Sequence, residues 1–350
     1  MAEAVRGRGA SFNTANRFIP LYYEEDPSRI DCDGSGPATE FFRDKTRSII
    51  ASNDSPDVGF THSINVYRGC EHGCSYCYAR PYHEYLGLSA GLDFETKIMV
   101  KEDAPELLRR ELMSPKWKPV TLGMSGVTDP YQPVERKTQL TRRCLEVLAE
   151  FRNPVGIVTK NRLVERDADL LSQLAQHNAA CVHISITTLD NDLARIMEPR
   201  ASQPFGRLEA IAALATAGIP VGVMAAPIIP GLNDHEIPSL LQAARDAGAS
   251  FAGYTILRLP MSVADVFSAW LEQHFPDRKE KVLGRIRELR DGNLNESQFH
   301  RRMRGVGYWA EVIGDVFRLH KARLKFSQKP PELSTASFRR PGEQRSLFDE

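Results

Sequence analysis

The sequence predicts an α/β fold built around a parallel sheet, and three observations support this prediction. Between positions 61 and 262, apolar runs typical of strands alternate with helical patterns, and the alternation repeats six times. Gly218 and Gly248 follow two helical patterns, where a helix often ends on a left-handed residue. Polar or Gly/Pro-rich segments follow the strand-like runs. Such units favour parallel strands joined by right-handed crossovers, but periodicity leaves open whether the sheet is open or curved into a barrel.

The predicted strands are rich in β-branched and small apolar residues and occupy 63–67, 120–126, 155–159, 181–187, 219–226 and 251–257. The predicted helices occupy 103–113, 138–151, 167–177, 204–217 and 235–247. Asp167 is expected to cap the third of these helices, because a short acidic side chain can accept hydrogen bonds from the first turn. We expect residues 61–262 to form the main domain.

Three further segments flank this domain. Residues 1–60 lack a clear period and are expected to be largely irregular, with an extended arm at 17–23. Residues 263–328 combine helical apolar stripes with many basic side chains, which indicates a basic helical extension. Residues 329–350 are expected to form a flexible tail, because two consecutive prolines end the last helix and a linker-like composition follows.

Composition sets broad limits on the function. The chain has 350 residues, 42% of them hydrophobic and 26% charged, which fits a large domain with a substantial core. The formal net charge is zero, so overall charge does not indicate an anionic partner. We find neither a signal-peptide pattern nor the apolar run of about 18 residues that a membrane span requires. Six cysteines, three of them clustered, favour a reducing, cytoplasmic location.

A cluster of cysteines follows the first predicted strand. Cys70, Cys74 and Cys77 have the spacing C-x3-C-x2-C, and glycines in the same loop allow the three thiolates to approach one metal centre. A four-iron cluster has four corners and no fourth cysteine lies nearby, so one iron would stay open to a non-protein ligand. The alternative is a zinc site that combines the three cysteines with His72 or His83.

The cysteine motif, with Tyr76 directly before its last cysteine, resembles the signature of the radical S-adenosylmethionine (SAM) superfamily. The wider run at 63–80, SINVYRGCEHGCSYCYAR, resembles the branch that includes spore photoproduct lyase. From about Arg47 to about Tyr308, the chain resembles a group of bacterial lyase-like radical SAM proteins. The resemblance implies a partial (β/α)6 TIM-like barrel with a C-terminal helical extension. It also implies a 4Fe-4S cluster on the three cysteines, which would cleave SAM to a 5′-deoxyadenosyl radical that abstracts hydrogen from the substrate.

The resemblance also implies which residues bind SAM at the rim formed by the carboxyl ends of the strands. The segment Ser125–Thr128 is expected to hold the amino group, Ser185 to lie near the ribose, and 227–231 to pack against adenine. Arg200 or Arg207 is expected to meet the carboxylate, for which a guanidinium fork is suited. The residues expected to bind the cofactors are Tyr76, Ser125, Thr128, Asp129, Lys160, Ser185, Arg200, Arg207, Ile228 and Pro230.

Each of these positions has an alternative explanation. Ser125 and Asp129 are common turn residues. Glu198 and Arg200 would form a surface salt bridge worth at most ~1 kcal/mol. Lys160, at the end of the third strand, is either a solvated charge or a cation that pairs with a carboxylate or phosphate at the rim.

The segment from 278 to 329 contains fourteen Lys or Arg residues against six Asp or Glu. A basic helical face is often simply solvated. The alternative is a surface that binds DNA phosphates beside the rim, with Arg301, Arg302 and Arg304 as the expected DNA-binding residues. By resemblance, the leading function is then repair of a cross-linked pyrimidine in DNA. The arginines expected to face water are Arg285, Arg287, Arg290, Arg301, Arg302 and Arg304.

One departure from the family pattern concerns hydrogen donation. Spore photoproduct lyase has a cysteine donor after strand two, whereas 124–129 reads MSGVTD here. Cys144 lies in a helical pattern and Cys181 at the start of strand four, so neither is well placed. Either another group such as Tyr131 donates, with Lys160 as a second candidate catalytic residue, or the substrate differs. Another ultraviolet lesion, such as a cyclobutane dimer, is at least as plausible as spore photoproduct. Modification of RNA or a protein, and a non-catalytic adaptor role in DNA maintenance, stay open.

Two protein partners are also expected. Radical SAM chemistry needs an electron donor such as a reductase, flavodoxin or ferredoxin. The chain ends in QRSLFDE, in which Gln344, Leu347 and Phe348 resemble the short peptide that binds the bacterial replication sliding clamp. We expect this peptide to bind the clamp through its two apolar anchors.

Overall fold

Six parallel strands form the centre of the structure, a computed structural model that describes residues 5–19 and 36–342. The parallel strands pair in the order β10-β9-β8-β7-β6-β3, and β2 adds an antiparallel strand beside β3. The described strands are β1 (Glu40–Arg43), β2 (Ile50–Ser52), β3 (His62–Ile64), β4 (Tyr67–Arg68), β5 (Lys97–Val100), β6 (Leu122–Met124), β7 (Val155–Thr159), β8 (Ala180–Ile186), β9 (Val221–Ile228) and β10 (Phe251–Ile256).

The sheet is an open partial barrel. Its strands are in parallel register, so that Gly156 of β7 lies opposite Gly123 of β6 and Cys181 of β8. β10 and β2 form the two edges. The predicted α/β class and the partial barrel implied by the resemblance are therefore confirmed. Because the six strands run in one direction, the loops after them meet at one rim.

The helices surround this sheet, and α5, α7 and α8 pack directly on its strands. Short 3₁₀ helices occupy Arg80–Leu86, Arg162–Asp167 and Asp234–Glu236. None of the helices in the described ranges has the length and apolar character needed to cross a membrane. The α-helices are α1 (Leu92–Thr96), α2 (Ala104–Met113), α3 (Glu135–Thr138), α4 (Leu140–Phe151), α5 (Ala168–Ala175), α6 (Asn191–Met197), α7 (Pro204–Thr216), α8 (Ile237–Asp246), α9 (Val263–His274), α10 (Pro276–Glu288) and α11 (Tyr308–Arg323).

The observed strands agree with the prediction in some places and differ from it in others. β7 coincides with the predicted strand at 155–159. The predicted strand at 63–67 is divided into β3 and β4, and the chain bends between them at Val66. Next to this bend, the Asn65 side chain accepts a hydrogen bond from the Val127 N–H (3.2 Å). β1 and β5 were not predicted, and with β4 they form a second, three-stranded sheet. The first 60 residues are therefore not irregular throughout.

Asp167 stands at the N-cap position of α5, but its side chain does not cap the helix. Its carboxylate instead accepts hydrogen bonds from Arg142 (3.1 Å) and Arg166 (2.7 Å). The predicted cap was wrong, because charge-assisted bonds to guanidinium groups are stronger than a bond to a backbone N–H.

Two hydrophobic cores connect the barrel to the helices that follow it. The main core fills the space between sheet and helices and includes Ile313 and Phe317 of α11. A second core combines Tyr76, beside the cysteines, with Phe267 and Trp270 of α9. The helical extension is therefore packed onto the barrel, partly over the cysteine loop.

The segment 329–342 differs from the expected flexible tail. The ring of Phe338 packs against Phe151 of α4, with centroids 6.2 Å apart. The Arg339 N–H donates to the Phe151 carbonyl (2.9 Å). These contacts tie the segment to the barrel. The clamp-binding peptide expected at Gln344–Phe348 lies outside the described residues and stays a prediction.

Candidate active site

The cysteine loop follows β4 and bends at two glycines. Gly69 and Gly73 have φ angles of 79° and 64°, a conformation that glycine adopts without steric cost. A Cβ atom at position 73 would lie 2.5 Å from Oε2 of Glu95, so the loop has room only for glycine there. The bends turn the cysteines toward the carboxyl ends of the barrel strands.

The three cysteines are free thiols that lie next to one another. Cys70 and Cys74 are buried and Cys77 is half-buried. Cys77 packs both against the apolar group around Cys70 and against the second core, which contains Cys74. Burial raises the pKa of all three thiols, and Asp129 and the neighbouring thiols raise that of Cys70 further. Three desolvated thiols in one place fit an iron–sulfur centre, whose irons bind sulfur as thiolate.

The arrangement fits an iron–sulfur cluster better than a single zinc ion. Within residues 5–19 and 36–342, no three His, Cys, Asp or Glu side chains lie close enough together to hold one metal ion. Both ring nitrogens of His72 face other groups: Nδ1 lies 3.4 Å from Oδ2 of Asp129, and Nε2 lies 3.2 Å from Nδ2 of Asn161. A four-iron cluster does not need its ligands to share one ion, because each thiolate binds a different iron.

Arg80 fixes the cysteine loop from behind. Its guanidinium is fully buried and donates to the Cys74 carbonyl through Nε (3.0 Å) and Nη2 (2.9 Å). Nη1 donates to the carbonyls of Ala90 (3.1 Å) and Gly91 (2.9 Å), and Nη2 also donates to Oε1 of Glu95 (2.5 Å). The five donors of the guanidinium are thereby satisfied, which holds the backbone between two of the cysteines in place.

The N-terminal arm, residues 5–19, contacts the same anchor. The N–H groups of Gly9 and Ala10 donate to the two carboxylate oxygens of Glu95, at 3.0 and 2.8 Å. A Cβ atom at position 9 would overlap the carbonyl of Gly73, so the arm lies directly against the cysteine loop. One buried carboxylate therefore links the arm to the guanidinium behind the cysteines.

Lys160 lies just after β7 and reaches across the end of the barrel. Its Nζ donates to the hydroxyls of Ser185 (2.7 Å) and Thr187 (3.2 Å) and to the carbonyl of Ala226 (3.0 Å). It also lies 3.3 Å from Oε1 of Glu198. Lys160 is therefore held by groups at the ends of β8 and β9 and is not a solvated surface charge.

Glu198 is the centre of this buried network. Its carboxylate accepts hydrogen bonds from Tyr76, Arg207 and the Thr187 hydroxyl. Burial alone would raise the pKa of Glu198, but Arg207 and Lys160 outweigh it and hold that pKa well below its usual range. Burial, followed by the charge of Glu198, raises the pKa of Tyr76, which therefore stays a neutral donor. The network joins the cysteine loop to the strand ends.

The segment after β6 is attached to the cysteine loop. The Thr128 hydroxyl donates to the Gly69 carbonyl (2.7 Å), and the Ser125 hydroxyl donates to the Thr128 carbonyl (3.1 Å). Gln132 accepts a hydrogen bond from the Glu71 N–H (2.9 Å) and donates to Gly69 (3.3 Å). Ser125 and Thr128 are thus positioned beside the first cysteine.

Asp129 connects this segment to the next strand. Its carboxylate accepts hydrogen bonds from the Thr159 hydroxyl (2.7 Å) and the Lys160 N–H (2.9 Å). Burial would raise the pKa of Asp129, but the His72 ring and these hydrogen bonds outweigh it, so the pKa lies below its usual value. Asp129 is therefore an ionised carboxylate in the second layer of side chains behind the cysteines.

The apolar segment after β9 lies on the same rim. Ile228, the last residue of β9, and Pro230, just after it, are buried there. Asn233 holds the segment, because its side chain accepts from the Ile229 N–H (2.6 Å) and donates to the carbonyl of Thr187 (2.7 Å). The segment is therefore placed where the flat apolar face that packs against adenine was expected.

Two expected site residues have other roles in the structure. Arg207 is 1% exposed and pairs with Glu198 inside the protein, so its guanidinium does not face the rim as expected for a partner of the SAM carboxylate. Tyr131 is fully buried in the main core, which contradicts its predicted role as hydrogen donor. Arg200 is half-buried, with Nη1 3.6 Å from Oε1 of Glu71, and keeps an accessible guanidinium.

The basic segment does not form the expected solvent-facing helical surface. Arg301, Arg302 and Arg304 lie in turns between α10 and α11. The Arg302 side chain is only 18% exposed and its Nε lies 2.6 Å from Oδ2 of Asp57. Arg301 pairs with Asp291. Two of the three expected DNA-binding guanidinium groups therefore already have carboxylate partners, and DNA binding through Arg301, Arg302 and Arg304 stays a prediction.

Arg290 and Arg304 also differ from the expectation. Arg290 is 1% exposed and donates to the carbonyls of Leu257 (2.8 Å) and Arg302 (2.8 Å). Its charge therefore holds the turn against the end of β10 instead of facing water. Arg304 is exposed, with its guanidinium 3.6 Å from the ring centroid of Tyr254.

The sequence reasoning missed two residues at this site. Glu198 was expected at the surface, and no local signal marks it, because its partners Tyr76 and Thr187 lie 122 and 11 positions away. No role was predicted for Tyr78, although it directly follows the last cysteine. Its hydroxyl donates to the Gly126 carbonyl (2.5 Å) and therefore reaches the segment after β6.

The fold and the site together define an enzyme with an open α/β barrel and a three-cysteine cofactor centre at its rim. The profile of the Radical SAM superfamily matches residues 64–244, just over half of the chain. The chain belongs to the radical SAM superfamily. Members of this superfamily use a 4Fe-4S cluster and SAM, and the protein is a radical SAM enzyme with these cofactors.

Relatives occur in bacteria and archaea. An uncharacterized protein of Mycobacterium tuberculosis is 37% identical over 232 residues, which cover 66% of this chain and 67% of the relative. An uncharacterized protein of Methanocaldococcus jannaschii is 30% identical over 243 residues, which cover 69% of this chain and 86% of the relative.

Among solved structures, spore photoproduct lyase complexed with dinucleoside spore photoproduct is similar to this chain. The TM-score is 0.56 at 18% sequence identity, and the match covers 81% of this chain and 78% of that protein. A cysteine-to-serine mutant of spore photoproduct lyase gives the same TM-score, identity and coverage. At this identity the similarity shows a shared fold.

Proposed function

We propose that the protein acts on DNA and separates two pyrimidines that ultraviolet light has joined. The enzyme class follows from the family, and the DNA lesion is the proposed part. The observation that carries the proposal is the fold shared with spore photoproduct lyase, which was solved with a dinucleoside photoproduct. This similarity covers 81% of the chain and therefore extends well beyond the superfamily region at 64–244.

The residues at the rim have distinct roles in this proposal. Cys70, Cys74 and Cys77 would hold the cluster. When bound, the cluster and SAM supply the radical that removes a hydrogen atom from the substrate. Lys160 presents a fixed cation near the cysteines, which suits a polar group of SAM, and Arg200 is the accessible guanidinium that suits its carboxylate.

Other residues of the proposed site hold it in shape and keep water out. Ser125 and Thr128 line the segment beside the cysteine loop, and Ser185 lies within hydrogen-bond distance of the Lys160 ammonium. Ile228 and Pro230 provide the apolar face for adenine. A water-poor site of this kind protects a reactive species from side reactions.

The proposed reaction is an isomerisation in which atoms and electrons balance. The bond between the two pyrimidines breaks, and the hydrogen atom taken from one pyrimidine has to be replaced in the product. Tyr131 is buried in the core, so a different donor is needed. Tyr78 is the phenol that reaches the segment after β6, where its hydroxyl contacts Gly126. We therefore assign the return of the hydrogen atom to Tyr78. The phenoxyl group left on Tyr78 would regain a hydrogen atom from the methyl group that took up the substrate hydrogen, so that no hydrogen atom or electron is gained or lost overall.

The test uses the full-length protein, reconstituted anaerobically with iron and sulfide and supplied with dithionite, SAM and ultraviolet-irradiated DNA. Mass spectrometry of the digested nucleosides should show loss of one photoproduct and a matching gain of unmodified pyrimidine. The Cys77→Ala variant is the control and should show neither change. If SAM is cleaved while every photoproduct persists, the proposed substrate is wrong and modification of RNA or a protein becomes the better hypothesis.

Two partners belong to the same proposal. An electron-donating flavodoxin, ferredoxin or reductase would replace dithionite in the cell. Clamp binding through Gln344, Leu347 and Phe348 would bring the enzyme to DNA, and calorimetry with the clamp and a chain truncated after Pro341 tests that contact.

A further inference from the structure

We propose that a row of exposed aromatic side chains beside the cysteine loop, together with Arg258, binds an unpaired stretch of a DNA strand. We call this surface the aromatic platform, and it consists of Phe18, Tyr78, Tyr82, Tyr85 and Arg258. The choice of DNA as the ligand rests on the proposed function. The surface itself is defined by the positions and the exposure of the described side chains.

The rings of the platform lie close together and are open to solvent. The rings of Phe18 and Tyr85 stack with centroids 4.8 Å apart and an angle of 30° between their planes. The centroids of Tyr82 and Tyr85 are 6.3 Å apart. The exposed fractions are 54% for Phe18, 45% for Tyr78, 53% for Tyr82 and 68% for Tyr85. Single exposed apolar side chains are common, but a contiguous exposed group of this size indicates a binding surface.

The short helix that carries two of these rings buries its charged side chains and exposes its aromatic ones. In the 3₁₀ helix Arg80–Leu86, the charged or polar side chains of Arg80, His83 and Glu84 are buried. Tyr82 and Tyr85 point outward. An ordinary surface helix buries its apolar side chains and exposes its charged ones. Folding therefore gives no reason to expose these two rings, whereas stacking on a ligand does.

Arg258 adds an unsatisfied cation to this surface. It follows β10, and its guanidinium carbon lies 5.2 Å from the ring centroid of Tyr78. Among the residues that the structure describes, it has no hydrogen-bond or ion-pair partner. Burial lowers the pKa of Arg258, and the charge of Arg302 lowers it further. A guanidinium with five free donors beside a ring suits a backbone phosphate.

Aromatic rings interleaved with cations are the features that bind single-stranded nucleic acid. The bases stack on the rings, and every base has a suitable face, so binding tolerates many sequences. Paired bases inside a duplex are already stacked on one another and cannot use these rings. A strand whose damaged step has been extruded toward the rim has unpaired neighbours that can. The platform therefore suits the strand on either side of a lesion.

The test measures binding of a fluorescent oligothymidylate of about twelve nucleotides to the full-length protein by anisotropy, with a hairpin duplex for comparison. We expect Tyr82→Ala and Tyr85→Ala each to weaken binding by roughly five- to a hundredfold, as stacking on one aromatic ring contributes. The matched control is Tyr308→Ala. Tyr308 is 70% exposed on α11, and its replacement should leave the affinity within about twofold.

Arg258 is tested by the salt dependence of the same binding. Arg258→Gln should reduce the slope of log affinity against log salt by about 0.7, the contribution of one phosphate contact on a single strand. Arg258→Lys keeps the charge and should keep the slope. Iron content and thermal unfolding of each variant show that the fold is intact.

The outcomes separate this inference from the proposed function. If the unaltered protein binds no DNA at all, the DNA partner of the proposed function is wrong, and the platform proposal falls with it. If it binds DNA but the platform variants match Tyr308→Ala, only the platform is wrong. Variants that lower the unfolding temperature and leave DNA affinity unchanged would show that the rings stabilise the fold and do not bind DNA. Clearly tighter binding of an RNA of the same sequence would also overturn the proposal.

Discussion

Replacing Glu95 by glutamine tests how the cysteine loop is held. The Glu95 carboxylate is fully buried and accepts hydrogen bonds from the N–H groups of Gly9 and Ala10 and from the Arg80 guanidinium. Glutamine keeps the size of the side chain and one carbonyl oxygen. Its amide NH₂ group would face a donor in at least one of these contacts, and the buried charge of Arg80 would lose its carboxylate partner.

The expected loss of stability is large. Removing one partner from a buried ion pair costs about 3–5 kcal/mol, because the other charge stays buried without compensation. Leaving a buried N–H group without an acceptor costs about 1–3 kcal/mol. The two effects overlap at the same carboxylate, so we expect a decrease of roughly 4 kcal/mol in the free energy of unfolding. A protein of ordinary stability has about 5–15 kcal/mol in total.

Urea unfolding of the cluster-free protein measures this effect. Glu150→Gln is the matched control, because Glu150 forms an exposed pair with Arg109, and such pairs contribute at most ~1 kcal/mol. Glu95→Gln should also lower the iron bound after reconstitution, since the loop that presents the cysteines loses its support. Equal unfolding free energies for Glu95→Gln and Glu150→Gln would refute the reasoning.

Three further predictions follow from single side chains. Lys160→Met should weaken SAM binding at least tenfold in equilibrium dialysis, because a charge-assisted hydrogen bond contributes about 1.5–3 kcal/mol, and an unchanged affinity would exclude contact with SAM. Burial lowers the pKa of His183 to about 4 from 6.5, so the unfolded chain takes up the proton first and stability falls as the pH drops from 6.5 toward 4. At pH 5 this loss is ~2 kcal/mol, and His183→Gln should remove that part of the pH dependence in urea unfolding. Phe338→Ala should lower the free energy of unfolding by about 1–2 kcal/mol, because the ring packs on Phe151, whereas a flexible tail would show no change.

Features that depend on neighbouring positions were predictable from the sequence. β7 occupies the predicted range 155–159, and α7 begins at its predicted first residue, Pro204. Strand and helix periods are local, and so is the spacing of Cys70, Cys74 and Cys77. All three predicted cluster ligands lie within eight residues. The motif therefore identifies the correct family without any knowledge of distant contacts.

Contacts between distant positions were not predictable. Arg302 was expected to face water, but it meets Asp57, which lies 245 positions earlier in the chain. Tyr131 follows strand two and was therefore expected at the rim, but the chain re-enters the core there. In both cases the residue type and its local sequence fit the expected role. The partner that decides the outcome comes from a part of the sequence that carries no signal of the contact.

The charged groups around the cysteine loop are of two kinds: some have a full set of partners, and Arg258 has none among the described residues. Behind the loop, the Arg80 guanidinium has a partner for each donor, and Glu198 has two cations and two hydroxyls around it. Satisfied buried networks are rigid, which suits the positioning of a cofactor. Arg258, in contrast, has no hydrogen-bond or ion-pair partner among the described residues. A half-buried cation without an anion lowers stability, and binding a phosphate would offset this cost. We therefore expect the substrate to approach from the side of Arg258.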